Sequence, residues 1–175
     1  MVQVVGLRSY PACFNTVVAD GKPHKIVEID LAAQADIAPM MLVCPDGVAA
    51  KSFDLNPVAS ANILWANNII AITEIPVDYP SRDMYSKAVY AASSKAVPAV
   101  ILEIGREYSL KTATDMSGYN EGQILVPAAN GDVSKVADES PDALVVLAHG
   151  FELLYAVSAT EIVIKYLGLI PVDMT

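Results

Sequence analysis

Short apolar runs, broken by Pro, Gly, Asn and Asp, recur along the whole chain, and most alternate with the two-residue period of β-strands. "HKIVEIDL" (24–31) alternates in places and follows the turn-like "ADGKP". In "PMMLVCPDGVAAKSF", Pro45 and Gly47 suit the second and fourth positions of a type I turn, which predicts a hairpin. "ILWANNIIAITEI" predicts two buried strands about Asn67 and Asn68. Asparagine tolerates the positive φ that a two-residue hairpin turn requires.

One segment changes period. Between Pro80 and Pro98, Ser81 is placed to cap a helix and Asp83 to favour the positive end of its dipole. Tyr85, Ala88, Val89, Ala92 and Ala96 then share one helical face, so the spacing predicts a helix over residues 82–97, stopped by Pro98. Beyond it the strand pattern returns. "AVILEIGREYSLKT" breaks at Gly105, and "QILVPAANGDVSKVA" reads as a hairpin around Asn130 and Gly131. "DESPD" is an acidic turn and "ALVVLAHG" a buried strand, while "FELLYAVSA" fits either a helical turn or a strand. In "TEIVIKYLGLI", Ile162, Ile164 and Tyr166 share one face, and Val163, Lys165 and Leu167 the other. The expected fold is mainly β with one helix (α+β). It comprises an N-terminal β-rich part (1–80), the helix (81–98) and a C-terminal β-barrel-like unit (99–175), or one compact domain holding all three. "LVCPDGVAAK" and "LVPAANGDVSK" resemble each other, through common hairpin grammar or as two related β-units, the first being favoured.

Composition sharpens this picture. Hydrophobic residues make up 54% of the 175 and charged residues only 18%, too few to cover a monomer generously, which favours some apolar surface meeting a partner. The formal net charge is −9, and the 11 basic residues are scattered singly. Nucleic-acid binding needs clustered cations to displace counterions from phosphate, so no nucleic-acid partner is expected, nor an anionic membrane. The start lacks the pattern of a signal peptide. The longest uncharged run, residues 55–73, contains Pro57 and four asparagines, which argues against a membrane span. Cys13 and Cys44 form no CxxC and read as small buried hydrophobes.

The chemistry-bearing motifs are missing. His24 and His149 are far apart in sequence, and no clustered Cys/His, HExxH, phosphate loop or GxSxG elbow occurs. Asp115, Glu121, Asp132, Asp138, Glu139 and Asp142 fall among Gly, Asn and Pro, where acids solvate turns rather than catalyse. No catalytic, cofactor or metal residue is therefore assigned. Three residues are candidates for an interface. Arg106 and Glu107 are charges inside a strand pattern, and Trp65, the single tryptophan, is a core anchor or a hot spot. Replacement of Arg106 by alanine is expected to leave the fold intact.

The order of segments over residues 105–170 resembles the head decoration (cement) proteins of tailed phages. Residues 122–126, 130–136, 143–148 and 162–168 carry the strand-and-turn pattern of their small β-barrel or β-tulip unit. Many members of that family are shorter, so the N-terminal hundred residues fall outside the resemblance. It implies a non-enzymatic virion protein, made in the host cytoplasm and placed on the capsid exterior. Its partners would be the major capsid protein and copies of itself, often as a homotrimer. A tail or connector component, and a small β-barrel ligand-binding module, are the alternatives.

Overall fold

The computed structural model describes residues 17–31, 37–45, 52–54, 70–75, 90, 96–136 and 144–174. Trp65, the Asn67–Asn68 turn, Cys13, Ser81 and the acidic turn "DESPD" lie outside them.

Among the described residues, ten strands are arranged in two layers. β1 (Ile26–Leu31), β2 (Leu42–Pro45), β3 (Ser52–Asp54), β4 (Ala71–Thr73) and β5 (Val97–Ile101) close into a ring in the order β1-β3-β2-β4-β5. β6 (Glu107–Lys111), β7 (Ile124–Pro127), β8 (Val133–Lys135), β9 (Leu144–Ser158) and β10 (Glu161–Met174) form a second sheet in the order β6-β10-β9-β7-β8. The mainly β class holds. The closed barrel is N-terminal, whereas the C-terminal strands make a sheet that is open among the described residues.

The continuous apolar runs follow from the two layers. Ile29, Leu31, Val43, Phe53, Ala71, Val97 and Ala99 point into the ring and fill it. Their strand neighbours Leu42, Ile72 and Val100 point outward, against Tyr108, Leu110, Leu125, Phe151, Leu153, Ile162 and Ile164 of the second sheet. β4 is therefore buried on both faces, and "AIT" carries no polar-out position of the usual kind. Ile162, Ile164 and Tyr166 share one face, as expected, and are buried on it, while Val163, on the opposite face, is buried as well.

The hairpins follow turn chemistry. β2 and β3 pair antiparallel, as "PDG" predicts, and so do β7 and β8. At the β7–β8 turn, Asn130 (φ 61°) and Gly131 (φ 69°) both take left-handed backbone, the conformation for which this dipeptide is suited. "FELLYAVSA" is strand, the outer half of β9.

The helix expectation needs correcting at its end. Most of residues 82–97 lies outside the described residues, but Tyr90 exchanges backbone hydrogen bonds with Ile37 (2.9 and 2.6 Å), and Val97 opens β5. Ring closure onto β1 takes Val97 and Ala99 into the barrel core, and this tertiary gain outweighs the helical period of the alanines.

Three irregularities in the β9–β10 pairing curl the second sheet. They lie between Glu161 and Ile162, Val163 and Ile164, and Tyr166 and Gly168. At the last, Gly168 (φ 85°) stands opposite Gly150.

Candidate functional site

Arg106 immediately precedes β6 and is only 9% exposed. Its Nε donates to Asp20 Oδ2 (2.9 Å) and its Nη2 to Asp20 Oδ1 (2.8 Å), a bidentate pair. Nη1 donates to the Pro23 carbonyl (2.8 Å) and Nη2 to that of Lys22 (3.0 Å), while Glu103 Oε2 lies 3.5 Å from Nη1. The guanidinium fork is thus occupied by the protein's own 20–23 loop. Arg106 lowers the Asp20 pKa from 3.8 to about 2 through that hydrogen-bonded pair, and Asp20 in turn raises that of Arg106. The expectation that Arg106→Ala leaves the fold intact does not fit these contacts, which make Arg106 a clamp on the 20–23 loop.

The clamp secures a strap. Just before Asp20, Ser109 donates to the Val17 carbonyl (2.7 Å) and Ala19 to the Glu107 carbonyl (2.9 Å), so residues 17–19 cover the outer edge of β6. The Val17 amide donates to Glu74 Oε1 (2.8 Å), which also accepts from Ile75 (2.8 Å). Glu74 is 2% exposed, and His24 Nε2 stands 3.8 Å from its Oε2. Neither Asp20 nor Glu74 carries a motif that marks it in the sequence as a candidate. Glu74 had a signal: a lone acid in the apolar run "IIAITEIPV" must be partnered if it is buried.

Glu107 is half-buried on the face of the second sheet away from the inter-sheet core. It stands directly opposite Lys165, which on its other side opposes Glu152. The row Glu107–Lys165–Glu152 alternates in sign across three strands and favours this register. Trp65, the third interface candidate, lies outside the described residues, and Arg106 and Glu107, adjacent in sequence, take separate partners: the 20–23 loop for Arg106 and Lys165 for Glu107.

His149 is 1% exposed, with Nδ1 2.7 Å from the Tyr166 hydroxyl. Burial pushes the Tyr166 phenol up to about 12. Neither His149 nor His24 sits in a group of three or more metal-ligating side chains among the described residues.

Ile104, Leu147 and Ile26 are the most exposed large apolar side chains among the described residues, and the tip of the β9–β10 hairpin is a further exposed apolar feature. Residues 155–160, "YAVSAT", are all exposed and uncharged, with Tyr155 and Val157 each at 40%. The tip is held by backbone: Met116 donates to the Ala159 carbonyl (2.8 Å) and Thr112 to that of Thr160 (2.9 Å). It presents apolar side chains and strand backbone from a fixed position, which suits docking on a surface.

No protein-family model, curated protein or solved structure matches this chain.

Proposed function

We propose that this chain is a non-enzymatic structural protein of a phage virion, a decoration or cement protein that binds the outside of the capsid shell and stabilises it. The observation that carries the reading is the exposed, uncharged and backbone-anchored hairpin tip at residues 155–160, on a chain of net charge −9. A shell-binding protein needs such a patch, together with charge elsewhere to keep it soluble before assembly. The order of strands and turns over residues 105–170 supports the same reading. In it the curled C-terminal sheet corresponds to the barrel-like or tulip-like unit of decoration proteins. The occupant of the tip is the major capsid protein. The protein acts as a homo-oligomer, with a trimer as the favoured form, because several weak contacts made together hold where one alone would not. It is made in the host cytoplasm and resides on the capsid exterior.

The test is copy number in purified particles, measured by quantitative mass spectrometry. Hundreds of copies in simple ratio to the main shell protein are expected. A single ring's worth would move the assignment to a tail or connector, and absence from particles would end the structural reading. Val157→Asp supplies the local test. It places a charge on the exposed tip and is expected to reduce shell binding with little change in thermal stability.

A further inference from the structure

We infer that the tip of the β9–β10 hairpin docks into an apolar pocket rimmed by lysine or arginine side chains on the protein surface that receives it. The inference rests on the reading of the tip as the docking site, and adds the chemistry of its partner.

An acid borders the tip on each edge. Gly122 donates to the Leu153 carbonyl (2.7 Å) and Leu153 to that of Gln123 (2.9 Å), so the loop entering β7 runs along β9 and sets the exposed Glu121 beside the base of the tip. On the other edge Met116 donates to the Ala159 carbonyl (2.8 Å), which sets the exposed Asp115 beside the turn. The Ser117 amide donates to Asp115 Oδ1 (2.9 Å) and holds this carboxyl below the usual carboxylate range, so Asp115 is charged at neutral pH.

The described cations of the second sheet are placed elsewhere. Arg106 is held by Asp20, and Lys165 stands between Glu107 and Glu152. Lys111 is opposite Glu161 at the base of the hairpin, where the two charges offset each other. Lys135 lies on β8, separated from β9 by β7. The tip therefore presents uncharged side chains inside a negative border.

That border selects the occupant. Nucleic acid and anionic lipid present phosphate, which the two carboxylates and a net charge of −9 repel. A second copy docking tip to tip would bring Asp115 and Glu121 against the same acids. A protein surface with an apolar centre and a cationic rim answers both features. Its centre takes Val157 and its neighbours out of water, and its rim faces the two acids. Charges at the rim of an interface act on the rate of encounter and on the choice of partner, whereas the apolar centre governs how long the complex lasts.

The experiment follows binding of the full chain to immobilised capsid shells stripped of this protein, over a range of salt concentrations. Asp115→Asn combined with Glu121→Gln removes the border charge, and Asp115→Asn keeps an oxygen to accept from Ser117. The double variant is expected to associate about three- to tenfold more slowly at low salt and with a flatter salt dependence. Val157→Asp is expected to weaken binding at every salt concentration. Glu28 is exposed on β1, a strand with no side chain in the core between the layers. Glu28→Gln changes the net charge as Glu121→Gln does, and is expected to slow association far less. All the changed positions are exposed, and the salt series on the unaltered chain stands without them. Association indifferent to salt and to the double variant, but lost with Val157→Asp, would overturn the cationic rim and leave the tip as the docking site. Faster association of the double variant would mean an anionic partner, and equal slowing by Glu28→Gln and Glu121→Gln would mean steering by net charge alone; either overturns the inference. Binding that survives Val157→Asp would move the contact off the tip and overturn it too. No binding of the unaltered chain would overturn it together with the proposed function.

Discussion

Arg106 and Asp20 are joined by two hydrogen bonds, of 2.9 and 2.8 Å, across 86 positions of sequence. The pair fastens the 17–20 strap to β6, and with it the edge of the second sheet and the loop entering β1. Removing one partner of a buried pair costs more than the pair contributes, because the other charge remains without its counter-ion. Arg106→Ala is therefore expected to destabilise the fold by about 2–4 kcal/mol in urea melts. Arg106→Lys should recover only part of this, since an ammonium cannot reproduce the two-pronged geometry. Equal stability for Arg106→Ala and the unaltered chain would show that the strap is held without it.

The same pair sets an acid limit. The Asp20 pKa is about 2 in the folded protein against 3.8 as the ordinary value. A depressed folded pKa contributes stability that is full above the unfolded value and is lost as pH falls from about 4 towards 2. The loop borders solvent, so the contribution is about 1–2 kcal/mol rather than the full equivalent of the shift. Melts of the unaltered chain and Asp20→Asn at pH 7 and at pH 2.5 should show a stability gap that narrows on acidification. A gap that stays constant would place the cost of Asp20→Asn outside its ionisation.

What was legible in the sequence was whatever depends on neighbours in the chain. Asn130-Gly131 marks its hairpin because left-handed backbone is a local requirement, and Ile162, Ile164 and Tyr166 mark a buried face because a strand alternates. The closure of β5 onto β1 was not legible. Ala92 and Ala96 fit a helix locally, and only the ring shows why Val97 and Ala99 are strand. Arg106 stands out in the sequence as a charge in a strand pattern, but its partner Asp20 precedes Gly21 and resembles any turn acid. Long-range pairs of this kind leave no spacing to read.

Gly150 should not accept a side chain while Ile170 stands against it. A Cβ there would lie 2.6 Å from Ile170 Cγ1 and 3.2 Å from its Cγ2, and would overlap Cδ1 as well. Gly150→Ala is expected to cost about 1–3 kcal/mol through this overpacking. Truncating the neighbour relieves the clash, so Gly150→Ala with Ile170→Ala should cost less than the sum of the two single changes. Additive costs in the double-mutant cycle would place the strain elsewhere.

Glu74 ties the strap to the end of β4, through the amides of Val17 and Ile75. Glu74→Ala orphans both buried donors and is expected to cost about 2–4 kcal/mol. Hydrogen exchange is the discriminating measurement, because the Val17 and Ile75 amides should lose protection before the strands of the ring. Uniform loss across the protein would mean that the strap opens only with global unfolding.

Tyr166 and His149 form the polar contact nearest the Gly150–Gly168 bulge, buried beside Phe151, whose ring centroid lies 5.6 Å from that of Tyr166. Tyr166→Phe keeps the ring packing and deletes the hydroxyl that meets His149 Nδ1, so about 1–2 kcal/mol of stability should be lost at neutral pH. The alkaline limb gives an independent check. A phenol held up to about 12 keeps its proton in the folded state after the unfolded chain has lost its own near 10. Its contribution is therefore full below pH 10 and is lost as pH rises towards 12. Tyr166→Phe removes that component, and the cost of the substitution should shrink across this window. A cost that stays constant from pH 9 to the alkaline limit would mean that the hydroxyl acts through packing rather than through its buried proton.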